Sequence, residues 1–254
     1  MKYLFMFIIG TIFGSFYNVV GYRIPNGESI VFPPSHCPKC NHKLKPLELI
    51  PLLSYIFQKG KCTKCHESIG IFYPLFELIT GLLFCFSLKV YGMTSNLIII
   101  LSFISMLLII TISDINYLII PDIILLFFSV LMLLEIVFCK GINEVIFALT
   151  NGLISFFIMY IIKKFGDFVF KKESMGGGDI KLMFLIGMIL TYKNALLSIF
   201  LGSLIGLPIS LYTIKNNNDH VLPFGPLLAS GAIIITLTQI NLDTILNIIQ
   251  LRII

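Results

Sequence analysis

The chain has 254 residues, 57% of them hydrophobic and only 12% charged, and a mean hydropathy of +0.97. That composition excludes a soluble globular domain, a disordered chain and a disulfide-knotted secreted module, and describes a protein of the lipid bilayer. The formal charge of +5, from 18 basic and 13 acidic residues, marks basic cytoplasmic loops on a polytopic chain, so no nucleic-acid partner is expected. The first apolar run, Tyr3 to Val20, is long enough to cross about 30 Å of hydrocarbon and ends without a small-residue cleavage pattern. It reads as a retained helix over 3–21. Further runs predict spans near 71–91, 96–113, 119–139, 143–162, 180–192, 194–214 and 224–248. The expected fold is therefore an all-α polytopic membrane protein with about eight transmembrane helices. The weakest break lies at Tyr192-Lys193-Asn194, and without it seven spans would remain. With eight, Lys2, Lys89, Lys140, Lys193 and Arg252 fall on one side and the other thirteen of the 18 basic residues on the opposite side. That asymmetry places the 22–70 loop in the cytoplasm and supports eight spans over seven.

Four of the six cysteines fall in this loop, as Cys37-Pro38-Lys39-Cys40 and Cys62-Thr63-Lys64-Cys65, with 21 residues between the pairs. Each short turn aims two thiolates at one point, and two such turns make a closed tetrahedral site for Zn2+ with sulfurs at about 2.3 Å. A cytoplasmic loop is reducing, which disfavours two disulfides. A closed four-sulfur site leaves no open position for substrate, so the metal is expected to be structural, folding a small zinc-ribbon-like segment that lacks a core of its own. His36, His42 and His66 are expected to be solvated neighbours. Cys85 and Cys139, alone in apolar spans, read as small core residues.

Thirteen acids are few for this length, and three lie at span ends: Asp114 closing the third, Asp122 after Pro121 opening the fourth, and Asp179 after Gly176-Gly177-Gly178 opening the sixth. One aspartate at a helix start is explained by capping. Three on one membrane face, from distant parts of the chain, point to a working site. Two close carboxylates cannot both ionise easily, and such a pair splits peptide bonds: the charged member takes a proton from water while the protonated one polarises the carbonyl. Glycines ahead of Asp179 let backbone and substrate approach closely. Glu77, soon after Tyr73-Pro74, is expected to line the same cavity, and Glu135 to snorkel to the headgroups. Pro208 is expected to kink the seventh span, and Pro223-Phe224-Gly225-Pro226 to make a stiff turn into the eighth. His220 has no visible partner.

Taken together, these residues resemble the bacterial type IV prepilin leader peptidases, membrane aspartic proteases with a Gly-x-Gly-Asp motif. The resemblance runs through Gly14-Ser15-Phe16, Asn18, Arg23-Ile24-Pro25, Ser35 to Cys40, Ile50 to Tyr55, Gly60-Lys61-Cys62, Cys65, Tyr73-Pro74 and Glu77. It continues through Asp114, Ile120-Pro121-Asp122, Gly176 to Leu182 and Pro223 to Pro226. It implies that Asp114 and Asp179 are the catalytic pair, supported by Asp122, Gly176, Gly178 and Lys181. It also implies removal of a short basic leader after a glycine, on the cytoplasmic side, from prepilin or pseudopilin precursors of pilus, type II secretion or competence systems. Members with the cysteine loop are commonly bifunctional, so N-methylation of the new terminus with S-adenosylmethionine is implied, with no cofactor-binding residue assigned. The implied division is 1–92, holding the first two spans and the methyltransferase-associated cysteine loop, and 93–254, the peptidase. The expected location is the bacterial cytoplasmic membrane, with lipid as a partner. Two other classes of function compete: a transporter with an aspartate cation relay, which lacks the expected mid-membrane broken helices and inverted repeats, and a non-enzymatic assembly factor, which Asp-to-Asn changes would leave intact.

Overall fold

The computed structural model describes residues 1–216 and 222–244. His220, Arg252 and the 245–248 end of the expected last span lie outside the described residues. The chain divides into two compact units, 1–93 and 94–254.

In the first unit, α1 (Lys2–Arg23) and α3 (Phe72–Tyr91) pack together as a hairpin. Their approach is close because the seam is made of small residues. A Cβ on Gly10 would stand 2.8 Å from Gly81 Cα, and one on Gly14 2.8 Å from Glu77 Cα, the device by which membrane helices gain packing contacts where lipid supplies no hydrophobic drive. The loop between them holds a 3-10 turn at Pro46–Leu49 and a short helix, α2 (Leu53–Phe57).

The second unit is built from α4 (Ser95–Tyr117), α5 (Asp122–Lys140), α6 (Ile142–Phe170), α7 (Gly177–Leu190), α8 (Tyr192–Asn216) and α9 (Gly225–Thr238). The buried core runs along α4, where Phe103, Ile104, Met106, Leu107 and Ile110 are fully covered by packing that includes α5 and α9. Helix α6 lies on α7, and α8 on α9. Large apolar side chains such as Phe127, Phe157, Ile161 and Phe200 stay exposed, a surface suited to lipid and not to water.

All eight expected helices are present, and among the described residues none is a strand. Six of them, α1, α3, α4, α5, α6 and α8, are long and apolar enough to cross a membrane. Helices α7 and α9 have 14 residues each, about 21 Å at 1.5 Å per residue. The break between α7 and α8 falls at Thr191, whose φ of 74° ends α7, while Asn151 Oδ1 accepts the Tyr192 amide at 3.1 Å and opens α8. Two helices outrun their apolar windows. α4 continues to Tyr117, so Asp114 sits in its last turn, its carbonyl accepting the Leu118 amide. α6 continues past Lys163 and Lys164 to Phe170, because the water side of a helix tolerates charge that a hydropathy window rejects. Pro208 lies inside α8. Glu135 turns inward and does not snorkel: Ser102 on α4 donates to its Oε1 at 2.6 Å and its Oε2 is buried without a partner among the described residues. Cys85 and Cys139 are half-buried, not core.

Candidate active site

The cysteine loop folds as two similar knuckles. In the first, the Cys37 amide donates to His42 O at 2.9 Å and the Asn41 amide to Cys37 O at 2.9 Å; in the second, Cys62 N–H reaches Glu67 O at 2.9 Å and His66 N–H reaches Cys62 O at 3.0 Å. Asn41 and His66, each just after its second cysteine, take positive φ of 53° and 59° to close the turns. Bridges His36–Lys43 and Lys61–Ser68 flank them. The four sulfurs lie within 4.8 Å of one another, with Cys37–Cys65 at 3.8 Å and Cys40–Cys62 at 3.9 Å. Tetrahedral zinc with sulfur at about 2.3 Å needs edges of about 3.8 Å. Two of the six sulfur–sulfur edges match that length, so the donor set fits zinc. The amides of Cys40 and Lys39 point at Cys37 and lower its thiol to about 7; those of Cys65 and Lys64 lower Cys62. At Cys65 the Glu67 amide favours the thiolate, yet burial and the crowding thiols Cys40, Cys62 and Cys37 push it up to about 12.

Sequence reading missed the residue that ties the two knuckles together. Glu48 accepts from the Lys45 amide at 2.6 Å and meets His42 Nε2 at 3.2 Å, and the Thr63 hydroxyl, inside the second CxxC, donates to its other oxygen. The Lys45 amide, first, and then Thr63 and His42 hold its carboxyl below the usual range. His42 is thus engaged, not merely solvated. Nothing in the linear pattern marks Glu48, because its partners come from both sides of the loop.

In the second unit the three aspartates have different surroundings. Asp114 is 6% exposed, and its Oδ2 accepts the Gly225 amide at 3.0 Å. That amide opens α9 and has no partner within its own helix, so a carboxylate from α4 caps the positive end of α9. Asp179 is the third residue of α7 and 7% exposed. Its carboxyl lies near the Gly176 amide and within electrostatic range of Asp114. Capping accounts for only half of it: Oδ1 is buried with no partner among the described residues, and such an orphan calls for an explanation beyond helix structure.

Ile120 is the wedge between these two helix starts. A Cβ on Gly178 would stand 2.8 Å from Ile120 Cβ, and one on Gly225 would stand 3.3 Å from Ile120 Cδ1 and 2.7 Å from Asp114 Oδ2. Asp122 is exposed and caps nothing by its side chain, since Pro121 holds the cap position. Lys181 Nζ instead bridges both its oxygens at 2.7 Å, joining the starts of α5 and α7. Glu77 belongs to the first unit, where its Oε2 accepts the Leu52 amide at 2.8 Å. Asp167 on α6 accepts from the Ser174 amide at 2.7 Å and hydroxyl at 2.8 Å, folding the segment before Gly176 back onto its helix. Ser174 gave no signal in the sequence, and Gly225 was legible only as part of a turn.

Residues 8–91 match the model of the bacterial peptidase A24 N-terminal domain, and residues 101–211 that of the type IV leader peptidase family. A prepilin leader peptidase/N-methyltransferase of Bacillus subtilis is 36% identical, over 90% of this chain and 91% of its own length. Proteins of the same description are 35% identical in Myxococcus xanthus, over 83% of this chain and 64% of that protein, and 30% identical in Pseudomonas aeruginosa, over 87% and 85%. No solved structure matches the chain.

Proposed function

This chain belongs to the type IV leader peptidase family, and we propose that Asp114 and Asp179 are the catalytic pair of its peptidase. The protein is a multi-pass membrane enzyme that cleaves prepilin leaders and N-methylates the product. The observation that carries the aspartate assignment is the contrast at the two helix starts: Asp114 anchored through one oxygen by Gly225, and Asp179 left with a buried, unpartnered oxygen.

The chemistry then runs through this chain's own groups. The Gly225 amide fixes the Asp114 carboxyl, and the free Asp179 oxygen faces the reacting water or carbonyl. The ionised member of the pair takes a proton from water, the protonated member hydrogen-bonds the scissile carbonyl, and the roles reverse as the amine leaves; no covalent intermediate is needed. Gly178 leaves the space that Ile120 fills and Gly176 keeps the start of α7 free of a side chain beside the Asp179 carboxyl, and the Asp122–Lys181 pair joins α5 to α7. Cleavage falls after a glycine that ends a short basic leader, on the cytoplasmic side, where the charge asymmetry puts the loops of the second unit. Residues 93–254 form the peptidase, and residues 1–92 carry the methyltransferase-associated loop, with a structural zinc held by Cys37, Cys40, Cys62 and Cys65. S-adenosylmethionine supplies the methyl group, pseudopilins are substrates alongside prepilins, and lipid covers the exposed apolar faces.

The test is co-expression with a pilin-like precursor, reading precursor size and N-terminal mass. Asp114→Asn and Asp179→Asn each lose at least about 10²-fold in cleavage, in line with removal of a general acid–base group, while the protein stays in the membrane. Wild-type-like processing by either variant refutes the pair.

A further inference from the structure

The seam between α1 and α3 carries a polar cluster that neither the metal centre nor the aspartate pair uses. Glu77 is 9% exposed and Asn18 3%. Glu77 takes the Leu52 amide at 2.8 Å on Oε2 and also a hydrogen bond from the Ser15 hydroxyl. Asn18 spends its amide hydrogens on Gly14 O and Tyr73 O, both at 3.2 Å, while its Oδ1 is buried with no partner. A carboxylate offers about four acceptor sites and an amide oxygen two. The cluster is therefore in surplus of acceptors and short of donors. Among the described residues no lysine, arginine or histidine forms an ion pair with Glu77, and a cation from outside the chain would supply the donors that the cluster lacks.

Placement narrows which cation. Asn18 meets α3 at Tyr73, one helical turn from Glu77, at the loop end of the hairpin. The Asn18 amide reaches Tyr73 O, four residues before Glu77 on α3, and one ammonium, with three N–H donors, suits two acceptors on one seam. The depth is a few residues inside two apolar helices. Cleavage ahead of a hydrophobic helix creates a cation suited to that depth: the α-ammonium that caps the new terminus.

We propose that Glu77 and Asn18 bind the α-ammonium group of the cleaved substrate helix, with Glu77 accepting a proton from it before methylation. This rests on the N-methylation stated above. Glu77 takes one proton from R–NH3+, leaving the free amine. The nitrogen lone pair forms the N–CH3 bond as the C–S bond of the sulfonium donor breaks, and that bonding pair stays on sulfur as a neutral thioether. The product leaves as R–NH2–CH3+, and Glu77 returns its proton to solvent. The Leu52 and Ser15 donors hold the carboxylate in place without neutralising it.

The experiment compares full-length wild type with Glu77→Gln, which keeps an oxygen for the Leu52 amide. With a co-expressed pilin-like precursor, the fraction of cleaved product carrying the added methyl mass falls at least tenfold in the variant, and zinc content and tryptic pattern match wild type. In nanodiscs, wild type binds a synthetic 25-residue apolar helix with a free α-amine at least tenfold tighter than its N-acetylated form, and Glu77→Gln erases that preference. Wild-type methylation by Glu77→Gln, equal binding of the two peptides by wild type, or loss of zinc from the variant overturns the site; the last would make Glu77 an anchor for the loop. Wild-type product that is cleaved but never methylated overturns the methylation itself, and the site with it.

Discussion

Gly225 meets Asp114 twice, through its amide at 3.0 Å and through the space where a side chain would begin, 2.7 Å from Oδ2. Alanine there keeps the amide and fills the space, and the flexible carboxyl gives way before the helix does. Gly225→Ala is expected to cost cleavage at least about tenfold with normal protein level, since displacing a reacting group by 1 Å is worth up to 10²-fold; assays of precursor processing against membrane-fraction abundance check this. Unchanged processing would mean that the carboxyl position is immaterial. The aspartates themselves were visible in the sequence as acids at apolar borders, yet the residues alone did not separate Asp114 from Asp122. Their surroundings differ: Asp114 is covered and caps α9, while Asp122 is exposed and paired with Lys181.

Between elements, polar ties set where the short helices begin. The Lys181–Asp122 bridge joins α7 to α5 with both groups more than half exposed, so screening limits it to about 0.2–1 kcal/mol. Lys181→Met is therefore expected to lower cleavage by no more than about fivefold, the factor that 1 kcal/mol represents, and Lys181→Arg, with its bidentate fork, to restore it. Turnover of the purified variants in detergent at low salt measures both, and a complete loss in Lys181→Met would assign the lysine a direct chemical role. Helix existence was legible from apolar runs, but helix ends were not. α6 runs on through Lys163, Lys164 and Asp167 to Phe170, where intrahelical hydrogen bonds continue regardless of hydropathy, and α7 stops at Thr191 because of one backbone dihedral.

For the whole molecule, two compact units divide the chain, one with the cysteine loop and one with the aspartates. A metal-site lesion should therefore weigh unevenly on the two activities. Cys37→Ser with Cys40→Ser is expected to abolish bound zinc, open the lysine-rich loop to trypsin and reduce methylation far more than cleavage; metal analysis, limited proteolysis and N-terminal mass report on each. Full zinc content in the double variant would contradict the ligand set. The sequence by itself determined the membrane class, because apolar runs of about 20 residues have no soluble alternative. It also determined the four-cysteine cluster, because CxxC pairs encode their geometry within four residues, and the acids at apolar borders. Only the tertiary structure decided that Gly225 holds Asp114, that Asp179 keeps an unpartnered oxygen, that Glu48 links the knuckles and that Glu77 and Asn18 share a seam. Each of these joins residues from separate elements or from both arms of the loop, and a hydrogen-bond vacancy exists only once the chain has folded and counted its donors against its acceptors.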